Sequence, residues 1–216
     1  RGFRVSVAME FFEYPQQPTV DAFRAGQMTE PDFLRAIQWG NGFSFDFYRD
    51  QVLFPQVNNG EKTLAINMPR SLTSQVARGG LESLSAEQKQ LLPPNLERGN
   101  PRYFARFKEA MGSHLPTDPI VVERYFWAQS IWDDTMAWKS IEAMKQDPNQ
   151  VIVIIVGEFH SRYGGGLPHR LNQRGAERVW TFSQVNIAGM SEDERDQQLV
   201  PHPWDGKRAD FLWIFD

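Results

Sequence analysis

The sequence predicts an α/β fold with a mainly parallel central sheet flanked by helices. The first observation is the unbroken apolar run Val151-Ile-Val-Ile-Ile-Val156, which is typical of a strand covered on both faces. The second is that strand patterns and helical patterns alternate along the chain, as they do in folds built on parallel strands. Because open α/β sheets bind ligands at the carboxyl ends of their strands, we expect the functional residues at 157–170.

The elements can be predicted in chain order. Val5, Val7 and Met9 alternate in the first ten residues, which indicates a strand over 1–10, and a second strand is expected at 63–67. Capping residues, glycines and prolines predict helices at 17–25, 29–39, 45–54, 71–77 and from 85 to the Pro93-Pro94 pair, with turns at 40–42 and 58–60. Residues 101–146 form a predicted helical block, and 181–187 and 211–215 are predicted strands.

A single domain is expected over residues 1–216, with a helical insert at about 82–147. The longest helix, from Pro119 to Asp147, is apolar around much of its circumference, which is typical of a buried core helix. Alternatively, part of this surface and the aromatic segment 43–48 contact a flat apolar ligand or a second subunit. Since the chain opens directly in a strand, we expect an upstream strand and helix, with any signal or anchor, to be missing.

Composition argues against several classes of protein. The net charge of −4 argues against a nucleic-acid binder, since neutralising phosphates needs an excess of Lys and Arg. The absence of cysteine excludes disulfides, thiolate metal sites and a cysteine nucleophile within this chain. No apolar run approaches the roughly 20 residues of a membrane-spanning helix.

Polar residues follow the predicted strands where their carboxyl ends should meet. Gly157-Glu-Phe-His160 turns the backbone sharply and places an imidazole that suits a metal ligand or a general base, although a lone histidine is more often structural. Glu10 ends the first strand, Glu13 follows it, and Arg70 follows the second strand. We therefore expect a cluster of carboxylates and imidazole at this edge.

Two features of the 157–170 segment are open to more than one interpretation. Glu158 suits either a ligand or base, or a salt bridge to Arg162 or Arg170. Gly164-Gly-Gly166 matches neither a P-loop nor a dinucleotide fingerprint, so a tight strand-to-helix turn is the simpler interpretation. Tyr163 precedes these glycines, and a phenolate suits ferric iron and is a known haem ligand, whereas most tyrosines only pack.

A series of sequence blocks lies along most of the chain: Met9-Glu-Phe-Phe12, Gln16-Gln-Pro18, Asn67-Met-Pro-Arg70, Ala77-Arg-Gly-Gly-Leu81, Gln129-Ser-Ile-Trp-Asp-Asp-Thr-Met136, Gly157-Glu-Phe-His-Ser-Arg-Tyr-Gly164, Gly166-Leu-Pro-His-Arg-Leu171 and Ala209-Asp-Phe211. In this order they resemble the ChaN-like family of haem-binding lipoproteins, which is related to the Tiki and TraB proteins and to erythromycin esterases. In that wider group two Gly-x-x-His motifs lie on neighbouring strands. Gly157 and His160 resemble the second motif, and the first is absent from this sequence.

The resemblance implies an α/β domain with a helical insert that binds haem during iron acquisition at the bacterial cell envelope. The protein would be an outer-membrane lipoprotein or lie in the periplasm, and it would contact the membrane only through a lost N-terminal lipid anchor. The implied cofactor is ferric haem, and family members can bind it between two subunits, which makes a homodimer an expected partner arrangement.

The resemblance also implies roles for individual residues. Tyr163 is the expected iron ligand, with His160 or His169 as alternatives. Arg162 or Arg170 would pair with the haem propionates, since guanidinium groups pair readily with carboxylates. The predicted site is completed by residues at the ends of the first two strands, Glu10 and Arg70.

Two other interpretations remain. One is a metal-dependent hydrolase of the Tiki or erythromycin esterase type, in which Glu10, Glu158, His160 and an upstream histidine hold a divalent metal that activates water. The other is a purely structural envelope protein. The predicted ligand site requires that Glu10, Arg70, His160 and Tyr163 converge at one cavity rim.

Overall fold

A three-stranded parallel sheet lies at the centre of the structure, a computed structural model that describes residues 2–40 and 42–216. The strands are β1 (Arg4–Glu13), β2 (Thr63–Asn67) and β3 (Gln150–Ile155), in the order β2-β1-β3. The prediction of a mainly parallel sheet flanked by helices is confirmed. Arg1, in the predicted first strand, and Asn41, in the predicted turn at 40–42, lie outside the described residues.

Most predicted helices form close to their expected bounds. The helices are α1 (Gln17–Arg24), α2 (Glu30–Ala36), α3 (Arg49–Leu53), α4 (Arg70–Gly79), α5 (Ala86–Gln90), α6 (Pro101–Met111), α7 (Pro119–Gln146), α8 (Glu158–Ser161), α9 (Leu167–Gln173) and α10 (Glu192–Leu199). The side chain of Thr29 caps α2, and Ser85 forms a capping box on α5. The predicted helix at 45–54 is instead a short 3-10 turn at Phe45–Phe47 followed by α3.

The burial of β3 differs from what its sequence predicts. β3 was expected to be covered on both faces, yet it lies at the edge of the sheet and leaves Val151 and Val153 43% and 45% exposed. Large apolar residues alternate with smaller ones along β1, yet β1 is the central strand and its middle residues are buried on both faces of the sheet. The small side chains of Ser6 and Ala8 explain this, because they allow close packing on the face that Val7 and Met9 do not occupy.

Helix α7 packs against α4, α9 and β2 and is largely buried, as predicted for a core helix. The aromatic segment at 43–48 packs in a different cluster, where Phe45 and Tyr48 contact Trp39. Phe43 and Phe47 stay exposed. The two aromatic regions therefore do not form one continuous ligand surface.

A second, two-stranded parallel sheet is formed by β4 (Phe182–Asn186) and β5 (Phe211–Phe215). One face of it is rich in exposed aromatic side chains, including Phe182, which stacks on Phe211, and Trp213. Over residues 2–40 and 42–216, no helix has the length and apolar character needed to cross a membrane.

Candidate functional site

Two strand ends bring Glu10 and His160 together at the carboxyl edge of the central sheet. The chain leaves β3 at Gly157, whose backbone N–H donates a hydrogen bond to the Glu10 carboxylate. The short helix α8 that follows places Nε2 of His160 3.9 Å from Oε2 of Glu10. Both side chains are mostly buried, at 11% and 20% exposed, so the edge presents a shielded imidazole and carboxylate pair.

A buried hydrogen-bond network fixes the other side of the His160 ring. Nδ1 lies 2.6 Å from Oδ1 of Asp133, which is fully buried on α7. The hydroxyl of Tyr103 donates to Oδ2 of the same carboxylate at 2.8 Å, and the amide of Gln129 donates to that hydroxyl at 3.1 Å. Because a carboxylate only accepts, Nδ1 carries a proton and Nε2 is the atom left to act at the site.

The surroundings of this network set its protonation. Burial and the charge of Asp133 raise the pKa of Tyr103 well above 10.0, so the hydroxyl stays protonated and donates. Burial lowers the pKa of His160, but the charge and hydrogen bond of Asp133, with the charge of Glu10, outweigh it. The resulting pKa of His160 lies above its ordinary value of 6.5. The imidazolium is therefore the favoured form at mildly acidic pH.

This raised pKa predicts how stability depends on pH. The His160 contribution should be fully present below about pH 6.5 and lost as pH rises through the folded-state pKa, because the folded protein binds the proton more tightly than the unfolded chain. Urea denaturation of the haem-free protein between about pH 5.5 and 9 measures it. His160→Gln should remove that part of the pH dependence, and His114→Gln, at an exposed histidine, should keep it. An unchanged pH profile in His160→Gln would contradict the assignment.

Glu13 and Arg70 lie at the same edge but in a different arrangement from the one predicted. The Glu13 carboxylate accepts a hydrogen bond from the backbone N–H of Arg70 at 2.8 Å, and it thereby binds the first residue of α4. The Arg70 residue is exposed. Glu13 therefore supports the connection between β2 and α4 and does not join the Glu10 and His160 pair.

Glu158 forms a salt bridge, but its partner differs from both candidates. Its carboxylate accepts hydrogen bonds from the guanidinium of Arg208 and from the hydroxyl of Ser183. Burial raises the pKa of Glu158, but these hydrogen bonds and the charges of Arg208 and Arg162 together lower it by more. The pKa of Glu158 therefore lies below its ordinary value. This carboxylate holds α8 to the C-terminal region and is not free at the edge.

Tyr163 lies beside a group of charged side chains in which the carboxylate of Asp205 pairs with Arg106 at 3.5 Å and with His202 at 3.1 Å. Its backbone is left-handed, with φ of 58°, and its N–H donates to the carbonyl of Arg208 at 2.7 Å. The buried guanidinium of Arg106 lies 3.7 Å from the centre of the ring, and the ring of His202 contacts it edge-on. The backbone and two neighbours thus fix a phenol that remains partly exposed.

The structure places the other predicted site residues, Arg162, Arg170 and His169, in different environments. Arg162 is partly buried, with its guanidinium 5.7 Å from the ring of Phe159 and its Nε buried without a hydrogen-bond partner among the described residues. Arg170 is buried beside Asp134 on α7. His169 is partly buried on α9. The structure therefore brings Glu10 and His160 together, whereas Tyr163 and Arg170 each contact a different group of residues.

Sequence reasoning missed the residues that build these surroundings. Asp133 belongs to the helix predicted to be in the core, and Tyr103 to the predicted helical block at 101–146. Arg106 and Arg208 lie far from the 157–170 segment in sequence. A signal was present for Asp133, because two adjacent carboxylates in a largely apolar helix must find partners if the helix is buried. In the part of the chain that the structure describes, no group of three or more His, Asp or Glu side chains is placed to hold a metal ion.

Comparison with known proteins gives one family and two structural neighbours. The family described as haem-binding uptake, Tiki superfamily, ChaN, matches residues 1–171. The structure of ChaN of Campylobacter jejuni, described as cofacial heme binding to that protein, has a TM-score of 0.60 and 15% sequence identity, covering 85% of this chain and 68% of its own. An erythromycin esterase, the mutant EreC H289N in its open conformation, has a TM-score of 0.43 and 11% identity, covering 96% of this chain and 67% of its own. The curated proteins include none that matches.

Proposed function

We propose that this chain, which belongs to the ChaN family of haem-binding uptake proteins in the Tiki superfamily, binds haem and uses Tyr163 as the iron ligand. The family match over residues 1–171 is the observation that carries the proposal. The fold that the chain shares with ChaN of Campylobacter jejuni, whose structure is described as binding heme cofacially, is consistent with it.

The position of Tyr163 suits a ligand to ferric iron. Haem, if bound, would supply an iron that the oxygen of Tyr163 could ligate. The guanidinium of Arg106 lies 3.7 Å from the centre of the ring, and its Nη1 lies 3.5 Å from the carboxylate of Asp205. The left-handed backbone of Tyr163 and its bond to Arg208 fix the ring without occupying its oxygen. The guanidinium of Arg106 and the backbone carbonyl of Arg208 thus orient the phenol.

The propionates require cations at the edge of the same site. Arg162 is adjacent to Tyr163 in sequence and retains a buried Nε without a partner among the described residues. We assign the propionate contact to Arg162 in preference to Arg170, because the guanidinium of Arg170 is buried beside the carboxylate of Asp134. His160 and His169 remain the alternative iron ligands.

We further propose that haem is bound between two copies of this chain. Tyr163 is only partly buried, and Trp204, two residues after His202, is 77% exposed, so one copy leaves much of a flat apolar ligand in contact with water. A second copy would cover that surface. We also propose a role in iron acquisition at the bacterial cell envelope, as an outer-membrane lipoprotein or in the periplasm.

Absorption titration with ferric haem tests the ligand assignment. The wild-type protein should give a saturable Soret shift and a tyrosinate charge-transfer band, and Tyr163→Phe should lose that band and bind haem about tenfold or more weakly, because the iron loses an anionic ligand. Tyr125→Phe is the matched control, since Tyr125 lies on α7 in the aromatic cluster around Tyr103. Identical spectra for wild type and Tyr163→Phe would reject the assignment, and the absence of any saturable shift in the wild type would reject haem binding.

The hydrolase interpretation is the second candidate, and one observation favours it. The buried Asp133 orients His160 so that Nε2 faces Glu10, an arrangement that also supports metal-binding or basic histidines. Against it, Glu158 is already bound by Arg208 and Ser183. If the protein hydrolysed an ester, lost that activity on addition of a chelator and did not bind haem, the hydrolase interpretation would be favoured over haem binding.

A further inference from the structure

A second candidate site lies between α7 and α9, in a cleft of about 670 Å³ lined by Asp134, Trp138, Arg170 and Arg174 among others. This volume is within the range of small-molecule sites, which is about 300–1,000 Å³. Neither Tyr163 nor His160 lines the cleft. Its chemistry can therefore be considered apart from the proposed haem ligand.

Two arginines that line the cleft share one aspartate. Asp134 accepts a hydrogen bond from Nε of Arg174 at 2.7 Å, and its other oxygen lies 3.6 Å from Nη1 of Arg170. The side chains of Arg170 and Asp134 are only 3% and 4% exposed. Within this triad two guanidinium groups thus share one carboxylate, where burial makes an incompletely paired charge costly.

Polar atoms in this triad also lack partners. Nη2 of Arg170 and Oδ2 of Asp134 are both buried, and neither has a hydrogen-bond partner among the described residues. Glu97, Glu142 and Lys145 also line the cleft; Glu97 accepts from Gln173 at 3.2 Å and Glu142 accepts from Lys139 at 2.9 Å. An anion entering the cleft could accept hydrogen bonds from the guanidinium groups of Arg170 and Arg174.

One wall of the cleft is apolar and aromatic. Trp138 and Ile141 both line it and lie within one turn of each other on α7. Trp138 is partly buried, and Nζ of Lys139 lies 3.6 Å from the centre of its ring. An aromatic ligand body packs well against such a wall. We propose that the cleft binds a small aromatic monocarboxylate, with the carboxylate at Arg170 and Arg174 and the ring against Trp138.

Calorimetric titration of the haem-free protein with 2-naphthoate tests this proposal. Saturable binding is expected, and the neutral 2-naphthamide should bind about tenfold or more weakly, because it lacks the charge that the guanidinium groups require. Equal affinity for acid and amide, or no saturable binding of the acid, would overturn the proposal. This comparison uses the wild-type protein and so does not depend on whether any variant folds.

Variants locate the site. Arg174→Gln, at a side chain that is 16% exposed, should weaken 2-naphthoate binding about tenfold or more, whereas Arg178→Gln, at an exposed arginine after α9, should leave it unchanged. Thermal unfolding of Arg174→Gln checks that the fold is kept. Unchanged affinity in a folded Arg174→Gln protein would reject the cleft as the site.

Haem itself carries carboxylates, so its propionates could supply the same chemistry. Adding ferric haem to the 2-naphthoate complex shows whether haem and 2-naphthoate bind at the same place. Retention of 2-naphthoate while the Soret shift develops supports a separate site, and stoichiometric displacement overturns it. Because binding of 2-naphthoate is measured without haem, failure here is distinct from failure of the haem proposal.

Discussion

Replacing Asp133 with alanine should lower the free energy of unfolding by about 3–5 kcal/mol, the usual cost of removing one partner of a buried charged pair. The substitution leaves Nδ1 of His160 and the hydroxyl of Tyr103 without their shared acceptor inside the protein. Urea denaturation at about pH 6 measures the loss where the imidazolium is favoured. The loss should be smaller at high pH, since a neutral imidazole is less costly to bury without a partner.

Two further variants show whether the loss comes from the charge of Asp133 and from its burial. Asp133→Asn keeps an oxygen that can accept from Tyr103 but removes the charge, so its loss should be smaller than that of alanine. Asp50→Ala removes an exposed carboxylate from α3 and should change stability by no more than about 0.5 kcal/mol. A change in Asp133→Ala of similar size to Asp50→Ala would show that the network contributes little to stability.

Phe126→Ala should cost a similar amount, about 3–5 kcal/mol, through the cavity it leaves. Phe126 is fully buried on α7, and its ring contacts those of Tyr103, Phe104 and Phe107 on α6. The guanidinium of Arg98 also lies 4.8 Å from the ring centre. Because this cluster holds α6 on α7, its loss should loosen Tyr103 as well.

Thermal or urea unfolding measures the effect of Phe126→Ala, and Ile120→Ala provides a control on the same helix. Ile120 is 62% exposed, so its truncation should have an effect within about 0.5 kcal/mol. If the two variants were equally stable, the cluster around Phe126 would not be the contact that fixes α6. Amide exchange in α6 should rise in Phe126→Ala in proportion to the lost stability.

The sequence predicted the elements of the fold better than their burial. Local signals such as the Thr29 and Ser85 caps act within one turn of helix, so they can be recognised without knowing the tertiary structure. The position of a strand within a sheet depends on pairing between distant segments. β3 therefore has the composition of an interior strand but lies at the edge of the sheet. β1 is packed against on both faces, because Ser6 and Ala8 are small enough to allow close packing.

The candidate site was predictable in part for the same reason. Glu10 and His160 follow strands whose ends must meet in a parallel sheet, so their proximity follows from strand order. The partners of Tyr163 come from α6 and from the C-terminal region, and no local pattern connects them. Asp133 could have been identified only by asking where a buried carboxylate finds its donors.

Asp133 and Asp134 are consecutive residues, and on an α-helix consecutive side chains point about 100° apart. One holds the histidine at the sheet edge, and the other anchors α9 through two arginines. Any twist of α7 about its own axis must move both carboxylates at once. Two neighbouring residues of one helix therefore connect the sheet edge with α9.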